Sequence, residues 1–211
     1  QWDRLSMIAG VRYERTETAG RAFQFDADEE IATPVAVDRD YDDWLPSLHF
    51  RYELDQDTIV RWSYSTAISR ANYFDPVPRI VVSDEDTELE AGNPDLKATY
   101  ARNLDVSIER YLRPLGLLSA ALYYKDLDDL VLDVTDGAQY RNLARGTAWG
   151  AELLVRRNAL DARDRLTGWL TVSASRTSRE NLLTGVEARF DYDTPVVANL
   201  VANYRLGAKW S

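Results

Sequence analysis

The segment Asn103–Lys125 reads NLDVSIERYLRPLGLLSAALYYK, and both of its halves alternate with a period of two around a turn. In the first half Leu104, Val106 and Ile108 fall on one side, with Asn103, Asp105, Ser107 and Glu109 on the other. In the second, Leu118, Ala120, Leu122 and Tyr124 oppose Ser119, Ala121, Tyr123 and Lys125. Successive side chains of a strand point to opposite faces, so this pattern predicts two strands with one apolar and one polar face. Arg113-Pro114-Leu115-Gly116 carries the Pro and Gly of a short turn, which makes the pair an antiparallel hairpin.

The same alternation recurs in Leu5–Glu14, Ser47–Leu54, Ile59–Ile68, Trp149–Arg156, Leu166–Ser175 and Val196–Leu206. The expectation is an all-β chain of eight antiparallel strands, most of them 8–12 residues long. Long and short connections alternate between them. The long ones are Glu17–Asp42, Arg70–Thr99, Asp126–Thr147 and Thr177–Thr194; the short ones lie at Asp55–Asp57, Arg113–Gly116 and Asn158–Asp164. In an up-and-down sheet every second connection lies on the same edge, so the long segments share one edge and the short turns the other. The four long segments carry a formal charge of −15 against −10 for the whole chain, which leaves +5 on strands and short turns. Such acidity is expected of a solvated rim, with a cation-binding role as the alternative. With an even number of strands, Gln1 and Ser211 are both expected at the short-turn edge.

Three features favour a membrane barrel over a soluble sandwich. The strand length fits the ~9–11 residues that cross a bilayer at a tilt, beyond the ~5–6 typical of globular strands. The apolar faces carry Tyr13, Trp44, Tyr52, Trp62, Tyr64, Tyr124, Trp149 and Tyr204 toward their ends, as interfacial girdles do. The opposite faces mix charges of both signs with Ser, Thr and Asn, as a wet lumen would. Two other readings stay open at this point: a self-contained eight-stranded barrel with a structural or adhesive role, and a soluble β-sandwich or lipocalin-like binder with a dry core.

The 211 residues contain no Cys and one His, which excludes disulfides, thiol chemistry and a histidine-based metal cage. A net charge of −10 argues against a nucleic-acid partner. His49 sits mid-strand on the polar face and reads as a lumen hydrogen-bonding group. Asp126-Leu127-Asp128-Asp129 and Asp84-Glu85-Asp86 lack the glycine and closing glutamate of an EF-hand loop. Arg12/Glu14, Arg51/Glu53 and Asp105/Glu109 read as salt-bridged wall packing rather than as a glycosidase pair. No phosphate loop or nucleophile elbow is present. No enzymatic activity and no cofactor are expected.

Gly92-Asn93-Pro94-Asp95-Leu96-Lys97 is strong turn chemistry directly ahead of the Asn103–Tyr111 strand. This segment resembles the GNPDLKPE-type motif of TonB-dependent outer-membrane receptors, although Ala98-Thr99 stand where that family continues with Pro and Glu. Tyr41–Ser47, Arg61–Ser65 with Ser69-Arg70, Leu117–Asp126, Gly150–Leu153 and Asn199–Gly207 resemble barrel segments of the same family in the same order. The resemblance implies that residues 1–211 are part of the barrel domain of a larger receptor of about 22 strands. On that expectation the plug domain, the TonB-contacting box and the closing aromatic-ended strand lie outside this sequence.

The resemblance further implies a place in the bacterial outer membrane, in contact with its lipid, and energy-coupled uptake of a scarce small-molecule nutrient. A ferric siderophore, cobalamin or an oligosaccharide would fit. The partner would be the TonB–ExbB–ExbD complex, acting through the plug. Ligand contact is expected at Arg70, Tyr73, Phe74 and Arg79 in the second long segment and at Tyr140 and Arg141 in the third. Aromatic rings suit sugar stacking, and Arg suits carboxylate or chelate groups.

Overall fold

The computed structural model describes residues 4–26, 31–77, 80–82, 89–114, 116–134, 139–158, 165–191 and 193–206. Eleven strands follow in chain order among the described residues: β1 (Leu5–Asp26), β2 (Ile31–Glu53), β3 (Thr58–Ser69), β4 (Ile80–Val82), β5 (Leu89–Ala91), β6 (Thr99–Leu112), β7 (Gly116–Val134), β8 (Gln139–Arg157), β9 (Leu166–Asn181), β10 (Glu187–Ala188) and β11 (Val196–Tyr204). Eight of them, β1, β2, β3, β6, β7, β8, β9 and β11, form one antiparallel up-and-down sheet, and β10 adds a short rung to the upper end of β9. β4 and β5 make a separate two-stranded ribbon. The eight expected strands are all present in the expected order.

Their lengths differ from the sequence expectation. β1 and β2 pair without interruption from Leu5↔Tyr52 to Asp26↔Ile31, so most of Glu17–Asp42, expected as a long loop, is the outer part of a hairpin. β7 and β8 likewise pair up to Val134↔Gln139, within the expected Asp126–Thr147 loop. The reason is backbone pairing. Once two antiparallel strands leave the apolar belt, each N–H and C=O still gains a partner by continuing the ladder, whatever the side chains are. Charged residues on both faces hide that continuation from a hydrophobicity pattern.

The register carries one apolar row across all eight long strands: Met7, Phe50, Trp62, Val106, Leu122, Ala151, Ala174 and Val196. The row below it contains Leu5, Tyr52, Val60, Ile108, Ala120, Leu153, Val172 and Ala198. Met7 and Leu122 are 59% and 62% exposed. The opposite face places His49, Ser63, Asp105, Tyr123, Gly150 and Ser175 in register. Buried hydrophobic side chains among the described residues are limited to Val37, Leu45, Leu96, Ala98 and Ala144. A sandwich would bury its apolar row against a second sheet; here that row is open, so the dry-core alternative does not describe this chain.

β1 and β11 form the two edges and do not pair with each other among the described residues, so the sheet is an open arc of wall. Leu5 and Tyr204 lie at the short-turn edge, opposite Tyr52 and Leu166. Gln1 and Ser211 lie outside the described residues. The first short turn is closed by Asp55, whose carboxylate accepts from the Asp57 N–H at 2.8 Å and the Thr58 hydroxyl at 3.0 Å. Those bonds, the Asp57 N–H foremost, hold the Asp55 carboxyl below its usual range.

Candidate functional site at the long-connection edge

The second connection, from Arg70 to Ala98, is fastened on both sides. On the β1–β2 side, the Arg70 guanidinium donates to Glu14 at 2.7 Å and to the Thr16 hydroxyl at 2.8 Å. The same group lies 3.9 Å from Asp43, which is buried and shares its other oxygen with the Tyr100 hydroxyl at 2.6 Å. Burial and the bond to Asp43 push the Tyr100 phenol up to about 12, so it remains a donor. Val77 seats against Gly20 and Val37: a Cβ built at Gly20 would lie 2.9 Å from Val77 Cγ2 and 3.0 Å from Val37 Cγ1.

The Gly92–Lys97 corner does the rest. Asn93 caps the turn by accepting from the Asp95 N–H at 3.0 Å, and its amide donates to the Tyr140 carbonyl at 2.9 Å. Its own N–H donates to the Asp75 carbonyl at 2.7 Å. Arg39 donates to the Pro94 and Leu96 carbonyls at 2.6 and 2.8 Å. Asn142 on β8 accepts from the Lys97 N–H at 2.7 Å and donates to the Lys97 and Asp129 carbonyls at 3.0 and 2.7 Å. The motif that stands out in the sequence is therefore a fastening point between β2 and β8. Buried Leu96 and Ala98 seal it.

Between the inner face of the β1–β2 hairpin and this connection lies a cleft of about 260 Å³ lined by Thr16, Thr18, Arg39, Tyr41, Tyr73 and Lys97. Tyr73 and Phe74 stand at the turn of the connection, 70% and 59% exposed, with ring centroids 5.4 Å apart edge to face. A separate cleft of about 330 Å³ on the inner wall is bordered by His49, Arg51, Arg61, Ser63 and Asp105. Arg51 and Arg61 are direct cross-strand partners, and each is held by its own carboxylate, Glu53 at 2.6 Å and Glu109 at 2.5 Å. Arg12 and Glu14 pair at 2.9 Å.

The expected contact residues divide. Tyr73 and Phe74 are presented together. Arg70 is engaged by Glu14 and Thr16. Tyr140 and Arg141 lie at the start of β8, where Tyr140 offers its carbonyl to Asn93 and Arg141 donates to Gln139 at 2.9 Å. Arg79 lies outside the described residues, as does Asp84-Glu85-Asp86. Asp126 and Asp128 form ion pairs with Arg102. Among the described residues no group of three His, Asp or Glu is placed to hold a metal. Asn93 and Asn142 are the fastening residues that the expected contact set omits. The Asn-Pro-Asp turn marks the first, and nothing in the pattern around Asn142 marks the second.

An up-and-down antiparallel sheet with an apolar outer belt, a charged inner wall and its elaborate connections on one edge is the wall of a membrane barrel. The TonB dependent receptor-like, beta-barrel family model matches residues 1–211, and the chain belongs to that family. No curated protein sequence matches it. Among solved structures, the ferric-catecholate import receptor Fiu of Escherichia coli K12 is similar over 98% of this chain and 30% of its own, at 16% identity and a TM-score of 0.63. The ferric yersiniabactin uptake receptor FyuA of Yersinia pestis is similar over 96% and 29%, at 16% identity and 0.67. The copper transporter OprC is similar over 97% and 31%, at 15% identity and 0.69. At these identities the likeness is one of fold, and this chain spans less than a third of each of the three.

Proposed function

We propose that this chain is a section of the barrel wall of a bacterial outer-membrane receptor that takes up a scarce small-molecule nutrient by energy-coupled transport. The observation that carries the reading is the pair of opposed faces: an open apolar row across eight strands, backed by a charged wall, with the fastened connection at one edge. The apolar row contacts outer-membrane lipid. The long-connection edge faces outward, and its exposed Tyr73–Phe74 pair, beside a cleft lined by Arg39, Tyr41 and Lys97, is the ligand-capturing surface. Tyr140 and Arg141 extend that surface across β8, and Arg79, outside the described residues, is a further expected contact on the grounds of its sequence alone. Arg70 holds the connection in place.

A plug domain elsewhere in the full receptor would occupy the lumen and receive the pull of the TonB–ExbB–ExbD complex. The protein is not an enzyme. The candidate cargoes are a ferric siderophore, cobalamin or an oligosaccharide. Siderophore uptake draws support from the ferric-catecholate and ferric yersiniabactin receptors among the similar structures, and stacking of a sugar draws support from the aromatic pair.

The test is uptake by intact cells of the source bacterium. Radiolabelled ferric catecholate, cobalamin and maltodextrin are offered to wild type, to a strain lacking the receptor gene, and to wild type treated with a proton uncoupler. One cargo is expected to be lost in both the deletion and the uncoupled cells. Uptake of all three unchanged by the deletion, or uptake that survives the uncoupler, overturns the reading.

A further inference from the structure

The outer face carries a groove that the wall alone does not explain. Ala120, Ala151 and Ala174 sit on adjacent strands β7, β8 and β9, and their short side chains leave a depression of about 610 Å³ walled by Val106, Leu122 and Val172. Every one of these residues belongs to the lipid-facing rows. The next row toward the long connections is Tyr124, Trp149 and Arg176, in register with one another across the same three strands. Trp149 is 52% exposed, and Arg176 is exposed.

Arg176 is out of keeping with its row. It follows Ala174 on the outward side of β9 and lies ten residues from Leu166 at the strand's start. That distance is the span of a bilayer-crossing strand, so Arg176 stands at the headgroup level of the outer leaflet. Among the described residues no carboxylate is within ion-pair distance of it. The charges on the rows above do not serve it: Arg102 is paired with Asp126 and Asp128, and Arg145 stands opposite Glu180. A cation at this depth, beside an interfacial Trp and directly above an apolar depression, is complementary to one kind of occupant. It needs an acyl chain below and an anionic phosphate above.

We propose that Ala120, Ala151, Ala174, Trp149 and Arg176 form a binding site for an anionic, phosphate-bearing lipid of the outer leaflet. The acyl chain lies in the groove, the headgroup phosphate meets the Arg176 guanidinium, and Trp149 borders the join. Guanidinium donates to phosphate through charge-assisted bonds, and a basic residue near an anionic surface contributes about 1 kcal/mol, or about fivefold in affinity. The site rests on the outer-membrane reading above, since a soluble protein would leave the groove to water.

The full receptor is purified and reconstituted in phosphatidylcholine vesicles containing a minor share of phosphatidylglycerol. Dibrominated acyl chains are placed on one lipid or the other. Bromine quenches nearby Trp, and the difference between wild type and Trp149→Phe isolates the signal of Trp149. Brominated phosphatidylglycerol is expected to quench Trp149 about fivefold more effectively per molecule than brominated phosphatidylcholine. Arg176→Gln is expected to bring the ratio to one, Arg176→Lys to keep most of it, and Ala151→Phe to reduce quenching by both lipids. A ratio of one in the wild type means ordinary surrounding lipid and overturns the site. So does a ratio that survives Arg176→Gln. If neither lipid quenches Trp149 while other Trp residues are quenched, a protein covers the groove, and the lipid site falls while the membrane reading stands. If neither lipid quenches any Trp, both fall.

Discussion

Glu14 and Asp43 stand directly opposite each other on β1 and β2, and the Arg70 guanidinium reaches across from the second connection toward both. Like charges in directly opposed positions of an antiparallel pair repel; among the described residues Arg12 on the same hairpin pairs with Glu14 alone, which leaves a place facing both carboxylates for a cation from outside it. Arg70 fills it. The first residue of the connection is therefore tied to the hairpin by charge, and Tyr73 and Phe74 inherit their position from it. Arg70→Ala is expected to raise the rate at which an added protease cleaves segment 70–98 on intact cells by about two- to fivefold, the range of a partly exposed ion pair. Arg70→Lys is expected to restore part of the protection, because it keeps the charge and loses the second donor to Thr16. Equal cleavage in all three proteins would mean that Arg70 does not hold the connection.

The same contact has a pH dependence whose direction follows from Glu14. It lies above the apolar belt, and the hydrogen bond from Arg70 holds its carboxyl below the ordinary carboxylate range. A lowered value in the folded protein means the contribution is complete above the ordinary range and is lost as pH falls through the lowered one. Protease sensitivity of segment 70–98 is expected to be flat at neutral pH and to rise in acid. Glu14→Gln is expected to be sensitive at every pH, without the acid step. A wild-type profile with no acid step would remove Glu14 from the latch.

Much of this fold is legible in the sequence, and what is hidden is hidden for identifiable reasons. Period-two alternation places all eight long strands, because one face of each meets an apolar surround and only that face needs Val, Leu or an aromatic. It does not show that β1 and β2 continue to Asp26 and from Ile31, since Glu17, Arg21, Asp38 and Arg39 interrupt the alternation there and the ladder is sustained by backbone bonds. Tyr73 and Phe74 stand out as aromatics in an acidic stretch. Asn142 does not, because its role depends on the Lys97 backbone 45 residues away, a juxtaposition that only the folded sheet creates.

Gly150 is a second residue whose reason appears only in three dimensions. It lies on the inner row between Tyr123 and Ser175, and the Tyr123 ring lies over it. A Cβ built there would be 2.5 Å from the Ala174 carbonyl and 2.6 Å from the Tyr123 hydroxyl. The first of these is backbone and has no freedom to swing aside. Gly150→Val is expected to lower the yield of folded receptor in the outer membrane, read as loss of the heat-modifiable gel band. Tyr123→Ala alone is expected to be tolerated, and it does not rescue Gly150→Val because the carbonyl clash remains. Normal assembly of Gly150→Val would show that the strands separate more readily than the register implies.

Which edge faces outward is testable with two cysteines, since the chain has none of its own. Tyr73→Cys lies on the second connection and Gln56→Cys in the first short turn. A membrane-impermeant maleimide added to intact cells is expected to label the first and spare the second, with both labelled after the outer membrane is opened. The reverse pattern on intact cells would invert the assignment and move the ligand-capturing surface to the other side.

The two faces make the sharpest demand of all, because neighbouring residues must behave oppositely. Val106 belongs to the outward row between Trp62 and Leu122, while Ser107, one residue on, faces inward between Arg61 and Ala121. Arginine placed on the lipid face near mid-membrane costs about 2–4 kcal/mol, whereas the polar inner wall already holds Arg51 and Arg61. Val106→Arg is therefore expected to reduce the folded fraction on urea titration of the reconstituted receptor by a shift of that size, and Ser107→Arg to leave the midpoint within about 0.5 kcal/mol of wild type. A soluble protein with a dry core would also reject Val106→Arg, but it would do so in vesicle-free buffer, where a receptor that depends on lipid has no folded state to lose. Equal tolerance of both substitutions in vesicles would mean that neither face meets lipid, and the barrel-wall reading would fail with it.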